Sequence, residues 1–346
     1  MATQNYGTVA SRNLIRAEME LLKMVENIQV LGLFGDQKQQ PQNKTDTVVF
    51  RRLNPFNMSA TTGAPSITAA NFVTAEGTTP TANTIGWTDV TSTLEQYSIL
   101  FKFSSKAQLM YEDDIPAAMK KLTATTLAEV AELVAYGQCK GGTSVTYANG
   151  TTQAGVNTPI SLRKLQQSAR SMEVNRATHV TDIVKAGPNF STAPVEASYL
   201  VFYHTDGSSD VRALPGFTKR VEYGSAITPV HPREIGSCEE FRFIPSPLFA
   251  PYLTAGSATA NGCVQTAGSC DVYPFIIMAE SAMGHISLKG TDEYSGISPT
   301  IIRSDVKNHA NPSGMFGYVG ADFWYACVRL NENWLSRIEC AVTDLA

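Results

Sequence analysis

The chain has no run of about 18 consecutive apolar residues, so no helix of it is expected to cross a bilayer. Its opening residues, Met1-Ala2-Thr3-Gln4-Asn5, lack the charged and apolar regions of a secretory leader, and a cytoplasmic origin is expected. Charge is sparse: charged residues make up 17% of the 346, with a formal net charge of −4. That balance gives no bulk electrostatic case for a membrane surface or for nucleic acid. None of the six cysteines, Cys139, Cys238, Cys263, Cys270, Cys327 and Cys340, belongs to a C-x-x-C pair. Zinc and thioredoxin-type readings are therefore poor. Cys263 and Cys270 flank a Gly/Ala/Thr loop that a disulfide can bridge, although a reducing compartment favours thiols there. The other four sit in apolar surroundings and read as core fillers.

What is present is an ample apolar fraction, 43%, in a length that suits one large domain or two modest ones. The chain is organised around residues 45–142. A strand is expected at Thr47-Val48-Val49-Phe50-Arg51-Arg52-Leu53 and a returning strand from Ser92 to Phe103. Between them, Asn57 to Asp89 is rich in Thr, Ala, Gly, Asn and Pro with almost no charge. Structureless loops beyond about 12–15 residues are uncommon in compact domains, so this excursion needs a reason. As a hairpin, each arm extends about 50–60 Å at about 3.3 Å per residue. A body of this size has a radius of gyration near about 20 Å. The excursion can overhang its own domain and reach a neighbour, as an assembly device would.

Ahead of it, Ser11 can cap an amphipathic helix carrying Leu14, Ile15, Met19, Leu22, Val25 and Ile28, ending before Gly32 or Gly35. The polar run Gln37 to Lys44 reads as a linker. Behind it, Asp113 or Asp114 can cap a long helix with Pro116 in its first turn. An apolar stripe of Ile115, Met119, Leu122, Thr126, Val130, Leu133 and Gly137, widened by Leu127 and Val134, is expected to end at Gly141-Gly142. A second helix follows Thr158-Pro159-Ile160-Ser161 through Leu162, Leu165, Ala169 and Met172. Then come a strand at Tyr199 to Tyr203 and a short helix capped by Ser208 or Ser209 through Val211 and Leu214. Further strands are expected at 240–245, 271–278 and 285–288. Residues 317–330 and 334–342 read as a closing hairpin about Asn331-Glu332-Asn333.

Chemistry is tempting at few places. His204, Asp206 and Ser208 are triad residue types, but two-residue spacing in a turn points them apart, and no G-x-S-x-G elbow accompanies them. Asp113-Asp114 and Glu239-Glu240 are adjacent carboxylates, which diverge on a helix or strand. His179, His231, His285 and His309 lack metal-ligand spacing, and Gly141-Gly142, Gly314 and Gly317 fit no phosphate-cradling pattern. No catalytic, cofactor-binding or metal site is expected, and no enzyme. A hydrolase using His204, or a surface lattice subunit, which would call for a secretion leader, are the alternatives.

Taken in order, several segments carry a resemblance. They are Val48 to Pro55, Ala75-Glu76-Gly77-Thr78-Thr79-Pro80, Ser92 to Tyr97, Glu234-Ile235-Gly236-Ser237 with Phe241-Arg242-Phe243-Ile244, and Trp334 to Glu339. The chain resembles tailed-phage major capsid proteins of the HK97 fold and, within them, the phage N4-type group. The resemblance implies an α+β capsid fold. Residues 1–45 would be an N-terminal arm, 46–105 an extended E-loop hairpin and 106–198 a peripheral domain with the spine helix. Residues 199–303 would be an axial α/β domain and 304–346 a return to the peripheral domain. It implies self-association into hexamers and pentamers of an icosahedral shell in the virion, with scaffold, portal and cement or decoration proteins as further partners. Packaged double-stranded DNA would be touched without sequence specificity and, given the charge balance, weakly. Some shells of this fold are crosslinked by an E-loop lysine. Here no lysine lies between Lys44 and Lys102, so a non-covalent shell is expected. Arg51, Arg52 and Glu95 at the loop base, Glu76 near its tip and Arg242 in the axial domain are the expected ion-pairing residues of assembly.

Overall fold

The computed structural model describes residues 29–41, 43–53, 69–80, 82, 84–110, 114–181, 197–223, 229–259, 262–289, 298–307, 309 and 311–345. The expected helix from Ser11 to Ile28 lies outside them. In chain order the elements begin with β1 (Asp36–Gln40), β2 (Thr47–Leu53), β3 (Trp87–Thr93) and β4 (Glu95–Ser104). Next are α1 (Ser105–Met110), α2 (Ile115–Lys140), β5 (Val145–Tyr147), α3 (Leu162–Val174), β6 (Tyr199–His204) and α4 (Ser208–Arg212). Then follow β7 (Thr218–Lys219), β8 (Gly236–Cys238), β9 (Phe241–Ser246), β10 (Gln265–Thr266), β11 (Ser269–Cys270) and β12 (Tyr273–Met278). The last are β13 (Met283–Leu288), β14 (Ser298–Ile302), β15 (Phe316–Arg329) and β16 (Leu335–Cys340).

A seven-stranded mixed sheet runs β5-β16-β12-β6-β9-β8-β7. Its central strands are apolar on both faces, as strands covered on both sides must be. Side chains alternate across the pleat. Tyr199, Val201 and Tyr203 of β6 pack with Leu165, Ala169 and Met172 of α3 and Val211 beside them. Leu200 and Phe202 face the other way, toward Ala135, Tyr136 and Cys139 of α2. The second sheet has five strands centred on β15, which pairs with β4, β13 and β14, while β1 extends the edge beyond β13. Gly317 is required there, because a Cβ would stand 2.2 Å from the Phe103 ring.

The helix α2 has 26 residues, about 39 Å at 1.5 Å per residue. It begins as its sequence indicates: the Asp114 side chain accepts from the Ala117 N–H at 3.3 Å, and Pro116 occupies the first turn. The apolar stripe differs from expectation. Ile115, Thr123, Leu127, Ala135 and Cys139 are buried, whereas Leu122 and Leu133 are 50% and 45% exposed. Steps of four residues drift round a helix by about 40° each, so the buried line winds as α2 crosses from Phe103 and Val319 of one sheet to Phe249 and Ile276 beside the other. Thr123 is tolerated in that line because its hydroxyl donates to the Met119 carbonyl at 2.7 Å.

Four other expectations are corrected. The expected linker from Gln37 contains β1, which pairs in parallel with β13 from Asp36↔Gly284 to Gln40↔Leu288. The return strand of the excursion is β3, which starts at Trp87, and the run from Glu95 onward is a separate strand joined to β15. Leu94, buried between them, is the pivot where the chain changes sheets. Ser208 does not cap α4; its Oγ meets the Tyr203 hydroxyl at 3.3 Å, and the side chain that caps the preceding turn is His204, whose Nδ1 accepts from the Asp206 N–H. The closing hairpin does not form. β15 and β16 are joined by five residues yet lie in different sheets, and β16 pairs with β12 and β5 instead. The connection is pinned by the Trp334 indole N–H, which donates to the Asn175 carbonyl at 3.1 Å.

Candidate assembly surface

The excursion stands on β2 and β3, paired antiparallel over seven positions from Thr47↔Thr93 to Leu53↔Trp87. Strand alternation gives this ribbon two faces. The inner face carries Val48, Phe50 and Val90, which pack with Leu94, Ile286 and Ala326 and fix the ribbon's root on the five-stranded sheet. The approach is close: a Cβ on Gly284 would lie 2.8 Å from the Phe50 ring. The outer face carries Val49, the Arg51–Asp89 pair and the directly opposed Leu53 and Trp87. Leu53 is 52% exposed and Trp87 58%, and Ile85, next along the chain, is 72% exposed. A cluster of large apolar side chains on a ribbon with polar neighbours is what a protein contact surface looks like before it is covered.

The side chains expected to make ion pairs are dispersed. Arg51 meets Asp89 directly across the ribbon, Nε to Oδ1 at 2.7 Å and Nη2 to Oδ2 at 2.8 Å. This bidentate fork holds the Asp89 carboxyl below its ordinary range, chiefly through the hydrogen bond, and raises Arg51. It therefore stiffens the ribbon from within. Arg52 is half-buried on the inner face; its Nη1 donates to the Leu330 carbonyl at 3.4 Å, and its Nε has no hydrogen-bond partner among the described residues. Glu95 accepts from the Tyr97 hydroxyl at 2.9 Å. Burial first and Glu95 second push that phenol up to about 12. Glu76 is exposed in a turn closed by the Thr78 N–H on the Ala75 carbonyl. Arg242 is buried, 2% exposed, within β9, and its Nε has no hydrogen-bond partner among the described residues.

Sequence reading missed Asp89, Trp87, Leu53 and Ile85. The signal was present in the alternation Trp87-Thr88-Asp89-Val90, which places Trp and Asp on one face and Val on the other. His204 and Asp206 stay within their own turn, with Asp206 Oδ2 accepting from the Tyr273 hydroxyl at 3.0 Å, while Ser208 turns to Tyr203. All six cysteines are buried thiols, Cys263 and Cys270 included, and burial pushes Cys263 up to about 11. Among the described residues no group of three His, Cys, Asp or Glu side chains is placed to hold a metal ion, and no helix is long and apolar enough to cross a membrane.

No known family profile matches the chain, and no curated protein matches it in sequence. Solved structures do. The chain is similar to the capsid of Ralstonia phage GP4, with 10% identity over 90% of this chain and 88% of that one, at a TM-score of 0.61. It is similar to the Cyanophage Pam1 capsid, with 12% identity over 88% of each chain and a TM-score of 0.57. It is also similar to the SrpI encapsulin of Synechococcus elongatus PCC 7942, with 10% identity over 98% of this chain and 94% of that one, at 0.52. At such identities the likeness is one of fold. The chain has the α+β fold of HK97-type shell proteins.

Proposed function

We propose that this chain is the major capsid subunit of a tailed phage, of the N4-type group, which self-assembles into hexamers and pentamers of an icosahedral head around double-stranded DNA. The observation that carries the reading is the β2–β3 ribbon, rooted on its own sheet by Phe50 and Val48 yet presenting Leu53 and Trp87 outward, in a chain with the shell fold along nearly its whole length. Closed symmetry turns such modest contacts into a stable assembly, because each subunit both offers and receives one. Residues 46–105 are the overhanging loop, 1–45 the arm, 106–198 and 304–346 the peripheral domain, and 199–303 the axial domain. Arg51, Arg52, Glu76, Glu95 and Arg242 are its candidate ion-pairing residues, Arg51 already being paired within the ribbon. Assembly takes place in the host cytoplasm with scaffold, portal and cement proteins as separate chains, and contacts to packaged DNA are non-specific and weak. The shell is non-covalent, since no lysine lies between Lys44 and Lys102.

Negative-stain electron microscopy of the purified full-length protein at near-physiological salt tests this. Closed shells, or rings with five- and six-fold members, are expected; open flat lattices or a monomer at every concentration refute it. Denaturing electrophoresis of the particles should show one band, and a multimer ladder that survives reductant refutes the non-covalent shell.

A further inference from the structure

Three buried polar side chains outside the ribbon are all spent on one short stretch of backbone. Residues 29–35 run across the gap between the two sheets and offer main-chain groups in both senses. Glu132, 1% exposed in the middle of α2, accepts from the Val30 and Leu31 N–H groups through Oε1, at 3.1 and 2.8 Å, and from Gly32 through Oε2 at 3.2 Å. His285, 5% exposed on β13, lies with Nε2 2.7 Å from the Phe34 carbonyl and Nδ1 2.7 Å from the Tyr325 hydroxyl. A carbonyl only accepts, so Nε2 carries the proton and Nδ1 receives the Tyr325 O–H. His231, also buried, donates to the Gln29 carbonyl and accepts from the Arg233 N–H at Nδ1, 3.1 Å away.

Two apolar anchors, Val30 and Leu31, complete the seat, and the Phe34 ring lies 5.6 Å from Phe202. Gly35 then turns at φ +102, where a Cβ would meet the Met283 carbonyl oxygen at 2.7 Å, and releases the chain into β1. That strand is added at the sheet edge by main-chain pairing, with the Asp36 carboxylate accepting from the Ser281 hydroxyl at 2.9 Å and its side chains mostly exposed. One of them reaches the ribbon: Lys38 Nζ donates to the Val49 carbonyl at 3.1 Å and stands 4.0 Å over the Phe50 ring.

We propose that residues 29–40 form a detachable strap that couples the spine helix to the root of the assembly ribbon, with Glu132 as its latch and Lys38 as its link to β2. The strap adds to an edge, so lifting it removes β1 and leaves the other four strands of that sheet, and all seven of the other, paired. What it removes is Lys38 from the ribbon, whose root is then held by the Val48–Phe50 packing and the Arg52–Leu330 hydrogen bond. Whatever displaces the strap, from the chain that precedes it or from a neighbouring copy, thereby changes how firmly the ribbon is held. These contacts all lie within one subunit and are independent of the shell reading.

Hydrogen exchange of the full-length unassembled protein tests it directly, because the Val30, Leu31 and Gly32 amides are both the ligands of the latch and the reporters. In Glu132→Ala, exchange of residues 29–40 should rise about tenfold or more, and that of 47–53 should rise with it, while 199–204 and 273–278 keep their protection. Lys38→Met should speed 47–53 alone and leave 29–35 protected. Glu132→Gln keeps an acceptor for Val30 and Leu31 but turns an amide toward Gly32, so its effect should fall between wild type and Glu132→Ala. It also carries the test if the alanine variant does not fold. Protection of 29–32 unchanged in both Glu132 variants overturns the latch. A loosened strap with 47–53 unchanged, or Lys38→Met without effect on 47–53, overturns the coupling.

Discussion

The outer face of the ribbon gives the assembly reading its sharpest test, through Trp87. A tryptophan offers about 200–250 Å² for burial, and with 58% of it exposed, about 115–145 Å² remains to be covered by a neighbour. At about 25 cal/mol per Å², full burial in the assembled state contributes about 3 kcal/mol per contact, within the range of an aromatic hot spot. Trp87→Ser removes nearly all of it, so the association constant of one subunit contact should fall about 100-fold. In the proposed shell each subunit makes and receives one such contact, so the concentration at which particles appear should rise by about that factor. The part already covered in the single chain, about 85–105 Å², is worth about 2 kcal/mol by the same measure, so the thermal melt should fall by no more than a few degrees. Light scattering against protein concentration, with electron microscopy of the endpoint, reads the first effect, and circular dichroism reads the second. Particles forming at the wild-type concentration would refute the claim that this face is covered in an assembly. A much larger fall in melting temperature would show that Trp87 chiefly supports its own fold instead.

Other consequences follow from the interior. Gly317→Ala places a methyl group against the Phe103 ring and the Ile302 carbonyl, and should cost about 3 kcal/mol or abolish folding, read by denaturant titration. Burial lowers His231 and His285 below their usual range, so the unfolded chain takes up protons first. Their contribution to stability is complete above about pH 6.5 and declines as pH falls through it. Glu132, pushed up by its own burial, works in the opposite sense. The histidine share is therefore the difference in the pH dependence of melting between wild type and the His231→Gln, His285→Gln pair, which should be flatter. The six buried thiols should react slowly with a disulfide reagent in the native protein and all six promptly in denaturant; fast stoichiometric reaction of two in the native state would refute their burial.

Local signals were legible where one residue did one job. Asp114 and Pro116 mark the start of α2, Gly141 its end, and the unbroken apolar run 199–203 places a strand buried on both faces. The failures share a cause, which is that a strand's partner is chosen by tertiary packing. Residues 316–340 carry all the marks of a hairpin, two apolar strands about an Asn-rich turn, yet Trp334 binds Asn175 and sends β16 to another sheet. Gln37 to Gln40 is a polar run that becomes a strand because β13 offers an unpaired edge, to which only backbone contributes. The apolar stripe of α2 was misphased at Leu122 and Leu133 because the helix is covered by two sheets in succession. Glu132 and His285 carry no sequence signal, since their ligands are main-chain atoms about 100 and 250 positions away.

The separation of β15 from β16 also sets an order of events during synthesis. β15 is the central strand of one sheet, and β16 lies between β5 and β12 in the other. Neither sheet can close until residues 316–340 have left the ribosome, and both then close on nearly the same stretch of chain. Most pairings therefore span long sequence distances, which slows folding. The same delay has a benefit: the ribbon's root packs on β15, through Ala326 and Val328, so the sticky face of Leu53 and Trp87 has no rigid mount until the whole body is finished. In the proposed shell a half-made chain could therefore not nucleate a lattice. Completion of the subunit and competence to assemble would arrive together, timed by where two strands fall in the sequence.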